Sequence, residues 1–355
     1  MNYLICEGKP NGDFNASSKA RKDVEKILVD EKFERFFVNT KYGVQKNKIK
    51  KIFQYITYIK NKYTWDRSLN ELNEKDTVIF QYPLLNTTFN FKDVIKKYSN
   101  KVTFIALIHD MDSLRYKKEN ASNNSLKRFK KEDKEILNNC KYIICHNDVM
   151  KKELVKLGNH EENIFTLQLF DYIIENDETN ILHQKDDPII IAGNLSTNKA
   201  GYIKYLQEIK DVKFNLYGIG YDNKEIKNVN YKGAFKPEEL IEKLDGSFGL
   251  VWDGTSKKSC EGGFGNYLRY NNPHKASMYI AAGIPIAIWK HAAIAQFVEE
   301  NNIGITINSL DELTEIHRNL TDKQYQEMIN NLRGISSKIR RGEFLKNTLK
   351  EMKLI

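Results

Sequence analysis

The sequence is short of cysteine and has no long apolar run. Its four cysteines, Cys6, Cys140, Cys145 and Cys260, show no C-x-x-C spacing; Cys140 and Cys145 only bracket a short apolar segment. That argues against a zinc knuckle and for a reducing compartment. No apolar stretch approaches the ~20 residues of a membrane span. The opening "MNYLICEG" lacks the basic-then-apolar pattern of a signal peptide. A cytoplasmic location is the expectation, with peripheral contact at the inner face of a membrane left open. Low-complexity tracts and internal repeats are missing too. So are several catalytic signatures: "CEGKPNGDFNASS" does not supply G-x-G-x-x-G, and in "YGIGYDN" the third glycine is replaced by Asn223. Dinucleotide binding is therefore set aside, as are zinc-hydrolase and serine-hydrolase chemistry, since neither H-E-x-x-H nor G-x-S-x-G occurs.

What is present is a basic, mixed chain of 355 residues, with 56 Lys and Arg against 47 Asp and Glu and a net charge of +9. Such an excess favours anionic partners. Lysines interleave with aromatics from Lys46 to Arg67, where Ile49, Ile52, Phe53, Ile56 and Ile59 recur at helical spacing. Two readings are open: a basic amphipathic helix resting on a membrane surface, or an ordinary helix with one face in the core. The second is preferred because lysine is abundant everywhere in the chain. No recognition motif supports nucleic-acid binding.

Apolar runs alternate with helical patterns almost from the start. "NYLICEG", "DTVIFQYP", "VTFIALIHD", "KYIICHN" and "NIFTLQLF" read as strands, with helices over Ala16–Asp30 and in "DVMKKELVKLG". Polar "ENDETNILHQKDD", Glu175–Asp187, is the candidate linker. A second series follows: "PIIIAGNL", "VKFNLYGIG", "VNYKGAF", helical "PEELIEKL", "GSFGLVWDG" and "IGITI". The tail from Thr321 to Ile355 reads as charged and helical. Continuous apolar strands separated by helices imply parallel sheets buried on both faces. The expected fold class is therefore α/β, with two Rossmann-like doubly wound domains facing across a cleft. Residues 1–174 form the first, residues 188–335 the second, and a final helix over about 336–355 packs back on the first.

In such sheets ligands bind beyond the carboxyl ends of the strands. The stretch "NNPHKASMYIAAGIPI" predicts a short helix with Asn272 as N-cap, Pro273 in its first turn, and Gly283 and Pro285 as the stop. Lys275 then stands at the positive end of the helix dipole, a misplaced cation unless an anion joins it. A diphosphate fits, with Lys275 and the helix N–H groups stabilising a departing nucleotide; a lysine reaching out to solvent is the plain alternative. His274 beside it is a second phosphate donor or merely a neighbour. Upstream, Asn266, Tyr267 and Arg269 follow a glycine-rich loop and are candidate donor contacts. So are Gly193 with Asn194 and Tyr217 with Gly218, where glycine ends a strand; a simple turn explains each equally well. In the first half, His109 and Asp110 end the strand in "ALIHDMDSLR". One of them is expected to act as general base toward an acceptor hydroxyl. Asp110 and Asp112 also spell a short metal-binding triplet, a weaker reading. Tyr82, Asn86 and Thr87, with the loop at Gly12, are candidates for orienting acceptor hydroxyls or are polar turns.

Taken together, "FQYPLLNTT", "IHDMDSLR", "GSFGLVW" and "HKASMYIAAGIPI" resemble the two-domain bacterial glycosyltransferases that include streptococcal adhesin glucosyltransferases and galactofuranosyltransferases of polysaccharide synthesis. The resemblance implies the GT-B fold, a UDP-sugar donor held mainly by the second domain and no required metal. It also implies acceptor binding by the first domain and a final helix crossing back onto it. It gives Lys275 a diphosphate role and aligns His109 and Asp110 with the group's "IHD" triplet. The acceptor would be a glycan, a lipid-linked oligosaccharide or a glycoprotein. A homo-oligomer is left open. One departure is His274 where the group carries an aromatic residue. The retaining signature of two glutamates with seven residues between them is missing from Phe248 to Leu310, which favours inversion. The rival function is a GT-B-shaped, non-catalytic partner of another transferase.

Overall fold

A computed structural model describes residues 1–7, 16–38, 59, 62–84, 88–116, 122–174, 183–222 and 224–355. Gly12, Asn86, Thr87, most of the Lys46–Arg67 segment and the first part of the expected linker lie outside the described residues.

Two six-stranded sheets organise the chain. The first contains β1 (Asn2–Glu7), β2 (Glu34–Val38), β3 (Thr77–Tyr82), β4 (Thr103–Ile108), β5 (Tyr142–Cys145) and β6 (Ile164–Thr166). Its spatial order is β2-β1-β3-β4-β5-β6. The second contains β7 (Ile189–Ala192), β8 (Phe214–Tyr217), β9 (Val229–Gly233), β10 (Gly249–Val251), β11 (Ile286–Trp289) and β12 (Gly304–Ile307), in the order β12-β11-β10-β7-β8-β9. Every strand pair is parallel.

Parallel sheets covered on both faces need apolar residues in both phases of the pleat, and the central strands supply them. Val78 and Phe80 of β3 join one hydrophobic cluster while Ile79 joins the opposite one. In β4, Phe104, Ala106 and Ile108 face the first cluster, and Ile105 and Leu107 the second. The second sheet is wrapped by a single larger core.

Six helices matter for the site: α1 (Ala16–Asp30), α2 (Asp112–Arg115), α3 (Gly262–Tyr267), α4 (His274–Ala281), α5 (Asp322–Arg340) and α6 (Glu343–Glu351). The tail expected as one helical segment is broken between α5 and α6. Gly342 there adopts φ 75°, and a Cβ on it would press to 2.7 Å from Ile27 Cγ1. The break turns α6 onto the first unit, where Leu345 and Leu349 are buried beside Val24, Ile27 and Leu28 of α1. At ~1.5–3 kcal/mol per buried leucine, the two contribute ~3–6 kcal/mol toward holding α6 there. Asp171 fixes the start of α6, its carboxylate accepting from the N–H groups of Phe344 (3.2 Å) and Leu345 (2.8 Å).

Candidate active site

Strand order locates the crevice. In the second sheet the chain moves outward from β7 through β8 and β9, then returns to place β10 on the other side of β7. Loops leaving β7 and β10 therefore diverge, opening a cleft at their carboxyl ends. Helix α4 is seated across it by Tyr279. That ring occupies the space a Cβ on Gly249 would need, and its hydroxyl accepts from the Ala192 N–H at 2.8 Å.

The cation at the head of α4 has a partner. Lys275 Nζ donates to the Trp252 carbonyl at 3.0 Å and to Asp253 Oδ1 at 2.7 Å. Both side chains are largely buried, 14% and 9% exposed. An unpaired ammonium so placed would cost several kcal/mol, and the helix dipole would add to that. Asp253, at the end of β10, removes the penalty. Its other oxygen lies 3.9 Å from Lys199 Nζ.

Across the cleft stands the end of β4. Asp110 Oδ2 accepts from Arg115 Nη1 at 3.1 Å, with about a third of the Asp110 side chain exposed. Burial lifts the Asp110 carboxyl above the usual carboxylate range, although Arg115 and Lys199 pull it down. Arg115 and Lys199 also approach the same ring, Phe264, at 5.3 and 5.6 Å from its centroid. Two ion-paired groups of alternating sign thus meet at the cleft, Arg115 with Asp110 from the first sheet and Lys199, Asp253 and Lys275 from the second. The Lys199 charge is felt at Asp110, and three cations are set against two carboxylates. His109 lies alongside, its ring stacked on Phe170 with centroids 5.2 Å apart. Burial holds its pKa well below the ordinary histidine value, and Arg21, His146 and His274 add to the effect, so the ring is neutral at pH 7.

A buried hydrogen-bonded knot joins the two units just before α4. The Asn272 N–H donates to His146 Nδ1 at 2.9 Å, and Asn272 Nδ2 donates to the carbonyls of His146 (2.8 Å) and Gln168. Asn147 Nδ2 reaches Asn272 Oδ1 at 2.6 Å and the Tyr270 carbonyl at 3.0 Å. His146 Nε2 donates to the Ile108 carbonyl at 3.0 Å, so both ring nitrogens are occupied in the neutral form; burial lowers its pKa to about 4. Tyr267 adds a second tie. It packs into a first-unit core cluster, and its hydroxyl accepts from the Met111 N–H at 2.9 Å.

The profiles of the glucosyltransferase 3-like family match both halves, the N-terminal domain over residues 2–169 and the C-terminal domain over residues 189–352. The chain belongs to the glucosyltransferase 3-like family. Among its relatives, β-1,6-galactofuranosyltransferase WbbI of Escherichia coli (strain K12) is 34% identical over 284 residues, covering 79% of this chain and 80% of that protein. Glucosyltransferase 3 of Streptococcus parasanguinis is 25% identical over 288 residues, 79% of each chain. The fold is similar to sucrose-phosphate synthase from Thermosynechococcus elongatus, with a TM-score of 0.67 at 10% identity over 100% of this chain and 99% of that one. This glucosyltransferase 3-like chain is thus a glycosyltransferase of the GT-B fold, as its sequence motifs implied.

Within this glucosyltransferase 3-like fold, several expected contacts are reassigned. Helix α4 starts at His274, with Pro273 as its N-cap; Asn272 does not cap it, because its side chain is held by the interdomain knot. Tyr82 is 3% exposed and donates its hydroxyl to buried Asp133, so it does not face an acceptor. Tyr217 is 1% exposed, its hydroxyl accepting from the Asp245 N–H at 3.2 Å. Nor are the amides of Gly193 and Gly218 free for a nucleotide. They donate to the carbonyls of Tyr217 (2.9 Å) and Gly233 (2.8 Å), continuing the sheet. Tyr267 joins the two units instead of reaching toward a donor. His274 packs against Tyr172, and burial beside Lys19 lowers its pKa to about 3, so without a bound anion its ring is neutral. Arg269 is exposed and lies over Trp289, 4.4 Å from the ring centroid. Asn194 is exposed at the end of β7, and Asn266 is partly exposed on α3. Reasoning from sequence missed Lys199, Arg115, Asp253 and Phe264. Asp253 had a signal, since it ends the apolar run of β10; the other three had none.

Proposed function

We propose that this glycosyltransferase moves a hexose (galactofuranose, galactose or glucose) from a UDP-sugar to a glycan, lipid-linked oligosaccharide or glycoprotein acceptor, with inversion and without a metal cofactor. The second unit, residues 188–335, holds the donor, and the first, residues 1–174 with the returning α6, holds the acceptor. The observation that carries this reading is the pairing of Lys275 with Asp253 at the β7–β10 crevice, opposite His109 and Asp110. Lys275, Lys199 and the N-terminus of α4 supply the positive field a leaving diphosphate needs, which is the work a divalent ion does elsewhere. Asp110 or His109 takes the proton of the acceptor hydroxyl as its oxygen attacks the anomeric carbon. The relatives' names cover a galactofuranosyl and a glucosyl transferase, so the sugar is chosen among hexoses.

UDP release from UDP-galactofuranose, UDP-galactose and UDP-glucose tests the proposal, with and without EDTA. One donor should release UDP at a rate EDTA leaves unchanged, and the product anomer should be opposite to the donor's. Silence with all three donors, or loss of release in EDTA, would contradict it.

A further inference from the structure

The carboxyl ends of β3 and β4 put a carboxamide against the imidazole at the cleft. His109 Nε2 lies 2.7 Å from Gln81 Oε1. The orientation of the Gln81 amide is set from its other end, because Gln81 Nε2 donates to the Arg21 carbonyl at 3.3 Å. Reversing the amide would set two oxygens against each other there, so Oε1 faces the ring and the ring must donate from Nε2. Arg21 holds the arrangement further. Its Nη1 donates to the Gln81 carbonyl at 3.1 Å and its Nη2 to the Pro83 carbonyl at 2.6 Å. Gln81 and Arg21 are buried at 4% and 8% exposure, whereas His109 keeps part of its surface open. With Nε2 occupied and Phe170 stacked on the ring, Nδ1 is left with no hydrogen-bond partner among the described residues.

We propose that Gln81 is a positioning residue that fixes His109 as the Nε2–H tautomer, so that Nδ1 is the atom that takes the acceptor's proton. The assignment rests on the UDP-sugar transfer proposed above and chooses between its two candidate bases. Asp110 is already engaged by Arg115 at 3.1 Å, with the Tyr267 hydroxyl and Lys199 nearby, which suits a carboxylate that holds the cleft cations in place. In the step itself the acceptor O–H bond breaks and an Nδ1–H bond forms. The freed oxygen pair bonds to the anomeric carbon, and the bond from that carbon to the diphosphate breaks, its electrons leaving with UDP. Burial, with the Arg21 charge, keeps the ring neutral, so the Nδ1 lone pair is present at neutral pH. A carboxamide orients the ring without adding charge. A carboxylate at the same position would stabilise the imidazolium.

Two readouts test this on the full chain. Imidazole nitrogen shifts of protein labelled with 15N-histidine should show His109 as the Nε2–H tautomer in the wild type and a tautomer mixture in Gln81→Leu. A wild-type Nδ1–H tautomer would overturn the assignment whether or not any variant is active. In Gln81→Glu the acidic limb of the kcat/KM profile should move up by more than one pH unit, and Gln81→Leu should lose at least tenfold in kcat with donor KM changed less than threefold. An unmoved limb in the glutamate variant, or full kcat in the leucine variant, would also overturn it. If the wild type turns over no UDP-sugar, the transfer reading fails by itself, and the nitrogen shifts still report separately on Gln81.

Discussion

Asp253→Asn isolates the carboxylate that answers Lys275. The pair is 2.7 Å apart with 14% and 9% of the two side chains exposed, so it behaves as a buried ion pair. Removing one member of such a pair costs ~3–5 kcal/mol, because the other charge is left uncompensated. Asparagine keeps an oxygen that can accept from Lys275, which brings the expectation to the low end, about 3 kcal/mol. For a unit of this size that lowers the melting temperature by roughly 6–12 °C. The same change frees Lys275, at the head of α4, for an added anion. If UDP then binds about tenfold more tightly, it restores ~1.4 kcal/mol more than it adds to the wild type. Thermal unfolding with and without saturating UDP reads both effects. The variant should melt lower alone and gain more from UDP. Equal melting without ligand, or a UDP shift no larger than the wild type's, would refute the reading of Lys275 and Asp253 as a buried ion pair at a diphosphate site.

The interdomain knot separates binding from transfer. Asn272→Ala leaves the His146 carbonyl and Asn147 Nδ2 short of partners, at ~1–3 kcal/mol each. Transfer should fall at least tenfold while calorimetric UDP affinity stays within threefold; a parallel loss of both would place Asn272 in the donor site itself. Two buried carboxyls predict a pH dependence of stability. Burial raises the carboxyl of Asp23 to about 6 and that of Asp171 to about 7, despite the hydrogen bonds each receives. The folded state therefore binds these protons more tightly than the unfolded one. Their contribution is complete below the unfolded pKa of ~4 and is lost as pH rises through about 6 to 7. Asp171→Asn should flatten the fall in melting temperature between pH 5 and pH 8; an unchanged slope would remove Asp171 from that account.

The architecture was legible because apolar continuity in β3, β4, β7 and β11 can be satisfied only by strands covered on both faces. The span of α1 matched its helical pattern at both ends. Lys275 stood out because it violates a local rule, and the violation led to the cleft. Side-chain partners were harder to foresee. Glycine at the ends of β7 and β8 suggested free amides, yet sheet pairing continues one residue past each strand and occupies them. Tyr82 and Tyr217 looked available at strand ends but bond inward to Asp133 and the Asp245 N–H. Asn272 satisfied every sequence criterion for a cap, but buried acceptors on the first unit took its side chain. These contacts join positions from fifteen to more than a hundred residues apart, and local pattern carries no information about them.

Lys275→Ala tests the central claim most directly. The lysine and the α4 N-terminus are assigned to the diphosphate, a role worth about 10²–10³ in turnover for one charge-stabilising donor. The measurement is steady-state UDP release from the preferred UDP-sugar by purified variant and wild type, with folding checked by melting. The account predicts a folded variant whose kcat is down at least a hundredfold. A folded variant with kcat within threefold of the wild type would contradict it.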